Sequence, residues 1–149
     1  MRYNRYISLA LVVLSGSVAV ADPMVLEAGE WRTSIDTMFG GEIFGEAVPR
    51  EIESMTDSSC WATPDDLTLD MSVFGTEECK TGGTVETPFG LESEIACTFS
   101  GLEMSGNLIV EANQDKNAFF GRMALRSTAS DTNIEAVTLF LGERTGPCS

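Results

Sequence analysis

Beyond residue 30, apolar side chains recur at every second position through most of the chain. Trp31, Thr33, Ile35, Thr37 and Phe39 share one face of an extended segment, and Arg32, Ser34 and Asp36 occupy the other, which is the pattern of a half-buried strand. Gly40-Gly41 and Gly45 are expected to break it. A second extended segment follows from Val48 to Cys60, poorly patterned because Ile52 and Met55 are out of phase. Thr63-Pro64-Asp65-Asp66 predicts one short helix near Pro64–Met71, since Thr caps, Pro fits the first turn and acids complement the helix dipole. From Glu77 onward the pattern is strand upon strand. Ser93, Ile95, Cys97 and Phe99 form one face; Met104, Gly106, Leu108 and Val110 the next; then Phe119, Gly121, Met123 and Leu125, with Arg122 and Arg126 opposite. A last run, Ala136 to Leu141, is apolar on both sides. Turn signals at this spacing predict an all-β fold, an antiparallel meander of about six to eight strands forming a barrel or a two-layer sandwich.

The N-terminus follows a different rule. Arg2 and Arg5 precede a weakly polar to apolar run from Ile7 to Val20 that ends in Ala19-Val20-Ala21. At about 14 residues this run is shorter than the roughly 20 needed to span a bilayer, and its small terminal residues suit a signal peptidase. Residues 1–21 are therefore expected to be a signal peptide, with 22–149 a single β domain exported to the periplasm or beyond, without a membrane anchor.

Loss of the leader removes two of nine basic residues and none of 23 acids, leaving a net charge of −16. Such a field repels nucleic acid and favours cationic partners, although acids dispersed from Asp22 to Glu143 also serve simply as a solvated surface. The four cysteines, Cys60, Cys79, Cys97 and Cys148, are widely spaced in a chain without histidine. In an exported protein that spacing predicts two disulfides rather than a metal site. Three connectivities are open. Cys79 and Cys97 are equidistant from Pro88 in the turn-like Thr87-Pro88-Phe89-Gly90, so a hairpin centred there would pair Cys79 with Cys97 and leave Cys60 to Cys148. A bend at Gly82-Gly83 would shift that register instead.

Gly29-Glu30-Trp31, Cys60 followed by Thr63-Pro64, Cys79-Lys80, the strand ending at Cys97, the Gly101 to Gly106 segment and the closing Gly142-Glu143-Arg144-Thr145-Gly146-Pro147-Cys148 together resemble the uncharacterised bacterial family catalogued as domain of unknown function 3617. The resemblance covers about residues 28 to 148 and implies a small exported protein of a Gram-negative bacterium. It brings no activity, cofactor or catalytic residue. Phe89 and Ile95 stand where that family's pattern leads one to expect a more basic, Trp-containing strand.

Without histidine, Ser-His-Asp and Cys-His nucleophile sites are excluded. Carboxylate pairs such as Asp65 with Asp66, Glu77 with Glu78 or Glu92 with Glu94 would catalyse hydrolysis only if burial separated their pKa values, and helix capping and solvated strand faces explain them more simply. No catalytic residue, cofactor or metal ligand is assigned. The expected function is that of a non-enzymatic envelope module, monomeric, binding a small apolar ligand or a cationic protein partner. Trp31, Phe99, Leu108 and Phe119 are the candidate pocket lining. A structural or assembly protein acting through an exposed edge or the acidic surface is the alternative, and a carboxylate hydrolase stands behind both.

Overall fold

The computed structural model describes residues 22–69 and 77–149. In chain order these form β1 (Met24–Val25), β2 (Gly29–Ile43), β3 (Glu46–Trp61), α1 (Pro64–Leu67), β4 (Thr68–Leu69), β5 (Cys79–Thr87), β6 (Gly90–Phe99), β7 (Leu102–Ala112), β8 (Ala118–Ser127) and β9 (Thr132–Gly146). Seven strands make one antiparallel sheet in the order β3-β2-β9-β8-β7-β6-β5, and β1 pairs with β4 in a separate two-stranded ribbon. The β-rich fold, the short helix and both disulfides match the expectation from sequence. Among the described residues, the sheet does not close into a barrel.

The topology supplies a reason for the opening. Apart from the β2–β9 pairing, sheet neighbours are sequence neighbours, so the order is that of an up-and-down barrel cut between β3 and β5. Each of the six steps across the sheet is antiparallel. The edges β3 and β5 therefore run in the same direction, whereas an all-antiparallel barrel closes only between strands of opposite direction. An odd strand number leaves two edges, and the connection between them leaves the sheet to form α1 and β4.

Alternation places the apolar set on one face. Leu91, Ile95 and Cys97 of β6, Met104, Leu108 and Val110 of β7, Leu125 of β8, Ile134 of β9 and Trp31 of β2 form one buried cluster, which Met24, Leu26 and Leu69 complete from the ribbon and its flank. Buried polar groups on this face are satisfied, as unpaired ones would be costly. Thr37 and Thr138 hydroxyls lie 3.2 Å apart, and Ser93 Oγ lies 3.0 Å from the Glu94 carbonyl.

Several local expectations are corrected. Gly40-Gly41 does not end the first strand; β2 passes through it with a register shift between Phe39 and Gly41, because a bulge absorbs the irregularity without loss of pairing. The chain reverses one turn later at Phe44-Gly45, both with positive φ (51° and 83°), the geometry of a tight hairpin. The helix is only four residues long, ending at Leu67, and Thr68 enters β4; Met71 lies outside the described residues. Gly82-Gly83 forms a bulge within β5, with the bend at Pro88-Phe89, and Cys79 remains opposite Cys97.

The bridges are Cys79–Cys97, with Cα atoms 4.0 Å apart, and Cys60–Cys148, at 5.4 Å. The first is a buried cross-strand link between β5 and β6. The second ties the end of β3 to the chain just after β9.

Gly142 stands directly opposite Phe119, and the Phe119 ring occupies the space a Cβ would need. Gly142→Val is expected to lower unfolding stability by about 1–3 kcal/mol through overpacking, measured by urea titration. An exposed position such as Gly83, where a Cβ meets nothing within 4 Å, is the control.

Candidate functional site

Of the four candidate pocket residues, the structure brings two together. Trp31 stacks on Trp61, ring centroids 5.0 Å apart, and leans on Phe119 at 5.8 Å; Trp61 and Phe119 are 6.0 Å apart. Trp31 Nε1 donates to the Glu27 carbonyl at 2.9 Å, so the ring is held at both its apolar and its polar ends. Leu108 lies elsewhere on the same face, opposite Ser93 and Met123. Phe99 sits at the end of β6 beside the Ser100-Gly101 turn and is 37% exposed. Trp31 and Leu108 each have 0% of their surface exposed, and a ligand in a preformed cavity needs wall surface to touch. In this conformation they are core.

Trp61 is the third ring of the cluster and donates to Ser59 Oγ at 3.0 Å. Its role was concealed because Trp61 comes opposite Gly29, next to Trp31, only through the β2–β3 register.

Among the described residues, the carboxylates of Asp65 and Asp66 belong to a helix start. Asp66 accepts from the Thr63 amide at 3.1 Å while Thr63 Oγ1 accepts from the Asp66 amide at 3.3 Å, a reciprocal capping box. The hydrogen bonds from Thr63 and Ala62 hold the Asp66 carboxyl below its ordinary pKa. A folded pKa below the unfolded one means that this contribution is complete above the ordinary carboxylate range and disappears as the pH falls through the folded value. Acid titration followed by NMR is expected to release the Thr63 amide before the sheet amides respond. Arg126 pairs with Glu135 on the neighbouring strand at 2.9 Å, both side chains largely exposed. The polar run from Asn113 is a hairpin loop: Asn113 Oδ1 accepts from the amides of Asn117 and Ala118 at 3.0 and 3.1 Å. Among the described residues, no three acidic or sulfur side chains converge to hold a metal ion, and no helix is long and apolar enough to cross a membrane.

Two surface features remain. A cavity of about 400 Å³ opens where the β5–β6 turn meets the N-terminal segment, lined by Asp22, Met24, Glu86, Phe89, Leu91 and Lys116 among others. At the opposite edge of the sheet, β3 runs for 16 residues with every residue exposed or half-exposed. It pairs on one side with β2, and no described strand pairs with its other side. Ile52 and Met55, the residues whose phase obscured this strand in the sequence, are 68% and 62% exposed and lie on opposite faces. Register with Trp31 puts Glu51, Glu53, Met55 and Asp57 on the side of the sheet that carries the core. A strand exposed on both faces needs no alternation, which is why its pattern was weak.

No family model, curated protein or solved structure matches the chain.

Proposed function

We propose that this chain is an exported, non-enzymatic module of the bacterial envelope that binds another protein. The leader-like residues 1–21 and the two disulfides support export, because such bridges persist in oxidising compartments. The observation that carries the binding reading is β3: a long strand, solvated on both faces, with its outer row of backbone groups unpaired among the described residues. Natural sheets cover, shorten or charge such edges, and a partner is one way to cover them. The partner is expected to be cationic, given the charge of −16 on residues 22–149. The fully buried Trp31 and Leu108 argue for a protein partner over a small apolar ligand held at those residues.

The test is intact mass of protein recovered from the periplasm, first native and then denatured, together with in-cell cross-linking. The expected covalent mass is that of residues 22–149 less four hydrogens, with no small adduct and with a cross-linked basic protein that salt displaces. Free thiols or a retained leader would contradict export. A bound small molecule, with no protein partner, would favour the cavity beside Met24 and Leu91 as the working site.

A further inference from the structure

Building on the protein-binding reading, we infer that the free edge of β3 is a strand-addition site for an extended, cationic segment of a different chain, with basic side chains at alternate positions. Three observations converge. The sheet contains an odd number of antiparallel strands, so β3 and β5 are parallel to each other and cannot close by antiparallel pairing. A strand laid antiparallel on β3 is also antiparallel to β5, and restores the alternation that an even-stranded barrel requires. Second, beyond Pro49, which has no N–H to donate, β3 continues from Arg50 to Trp61, long enough for the main-chain ladder from which strand addition gains its affinity.

The third observation selects the occupant. Glu51, Glu53 and Asp57 lie on one face of β3, and Arg50 is the sole base on the strand. A second copy would add to this edge about a two-fold axis perpendicular to the sheet, which sets residues of the same face opposite each other. With the axis at any residue from Glu51 to Met55, acid meets acid: Glu51 with itself or Glu53, Glu53 with itself, Glu51 with Asp57, or Glu53 with Asp57. Like charges directly opposite destabilise a pair, whereas opposite charges stabilise it. The stripe thus disfavours self-pairing and complements Lys or Arg at every second position of an incoming strand.

The probe is a blocked ten-residue peptide of alternating Lys and Val, added to the oxidised, processed protein. Amides of β3 that point away from β2 should exchange quickly in the free protein and become protected by peptide, and Kd should rise at least tenfold in Glu51→Lys/Glu53→Lys. Because a strongly acidic protein attracts any polycation, the deciding control is the same peptide N-methylated at alternate residues along its edge-facing side, which keeps the charge but removes the ladder. It should bind at least tenfold more weakly. Equal binding of the two peptides, protection located elsewhere, or β3 amides already protected in the free protein would each overturn strand addition. An alternating Glu and Val peptide that binds as well would overturn the charge assignment. If Glu51→Lys/Glu53→Lys still cross-links to its cellular partner, the edge is wrong and the protein-binding reading stands; if the unaltered protein has no protein partner, that reading falls by itself.

A separate contact supports a second inference: we propose that removal of the leader creates an ion pair that fastens the N-terminus. The backbone nitrogen of Asp22 lies 3.1 Å from Glu86 Oε1, at the end of β5 and beside buried Met24. Cleavage after Ala21 turns that amide into an α-ammonium, so a hydrogen bond from a neutral donor to the Glu86 carboxylate becomes an ion pair. In processed protein the α-amino group should titrate above its ordinary range near pH 8, and Glu86→Gln should return it there and lower Tm. In a form processed two residues earlier, with Gly-Ser inserted before Asp22, Glu86→Gln should change Tm much less. Unchanged α-amino titration in Glu86→Gln, or equal Tm losses in both forms, would refute the ion pair.

Discussion

Exchanging Cys60 and Cys148 together for serine is expected to lower the stability of the protein by about 4–5 kcal/mol, the largest effect of any change that leaves the core untouched. The bridge spans 88 residues, and chain-entropy reasoning assigns a loop of that length about 4–5 kcal/mol, against about 3 kcal/mol for a loop of the size closed by Cys79–Cys97. The order is informative because burial predicts the reverse: Cys79 and Cys97 are buried, whereas Cys60 and Cys148 are exposed. Guanidinium titrations of the two double-serine variants decide. A greater loss for Cys60/Cys148 means the bridges act mainly by restricting the unfolded chain; a greater loss for Cys79/Cys97 means that packing of the buried sulfurs dominates. The long bridge also joins the edge strand β3 to the segment beyond β9, across the intervening β2, so its loss should speed hydrogen exchange first in β3.

The second large effect is expected at Trp31. Trp31→Ala should cost about 3–5 kcal/mol, the range for emptying a buried aromatic site, because the ring is wholly buried and packs against both Trp61 and Phe119. It should also leave the Glu27 carbonyl without its donor and free the Trp61 ring. Trp31→Phe keeps much of the packing but removes the N–H, so the difference between the two variants isolates the cavity from the hydrogen bond. Near-ultraviolet circular dichroism, which reports the coupled rings, should collapse in Trp31→Ala at temperatures where the far-ultraviolet strand signal persists. A cost below 1 kcal/mol would mean that the stack is surface decoration and not core.

Period-two alternation made most of the sheet legible in advance, since Ser93 to Cys97 and Met104 to Val110 bury one face more than the other, while in β2 the difference is confined to buried Trp31 beside exposed Arg32 and the rest of the segment is half-buried on both faces. The same signal failed at β3 for a physical reason: an edge strand with both faces in water experiences no selection between them, so Ile52 and Met55 fall on opposite sides. The candidate pocket residues Trp31, Phe99, Leu108 and Phe119 were chosen from alternating strands, but alternation reports only which face of its strand a side chain occupies. It does not distinguish a wall from a filled interior, and the filling of Trp31 and Leu108 depends on partners up to about a hundred residues away in the chain. Gly142 illustrates the limit well. Nothing local marks it as the resting place of the Phe119 ring, which the β8–β9 register creates.

What the chain's own chemistry determined was local: strand faces, turn positions, a capping box at Thr63 and Asp66, and a hairpin symmetry that paired Cys79 with Cys97, each set by neighbours a few residues apart. Tertiary structure alone decided that the seven strands stay open, because closure depends on the parity of the whole sheet and on where the chain leaves it between β3 and β5. It also decided that the edge thus exposed is acidic on one face, because which side chains share that face with the core follows from pairing with β2, not from the poor pattern of β3 itself.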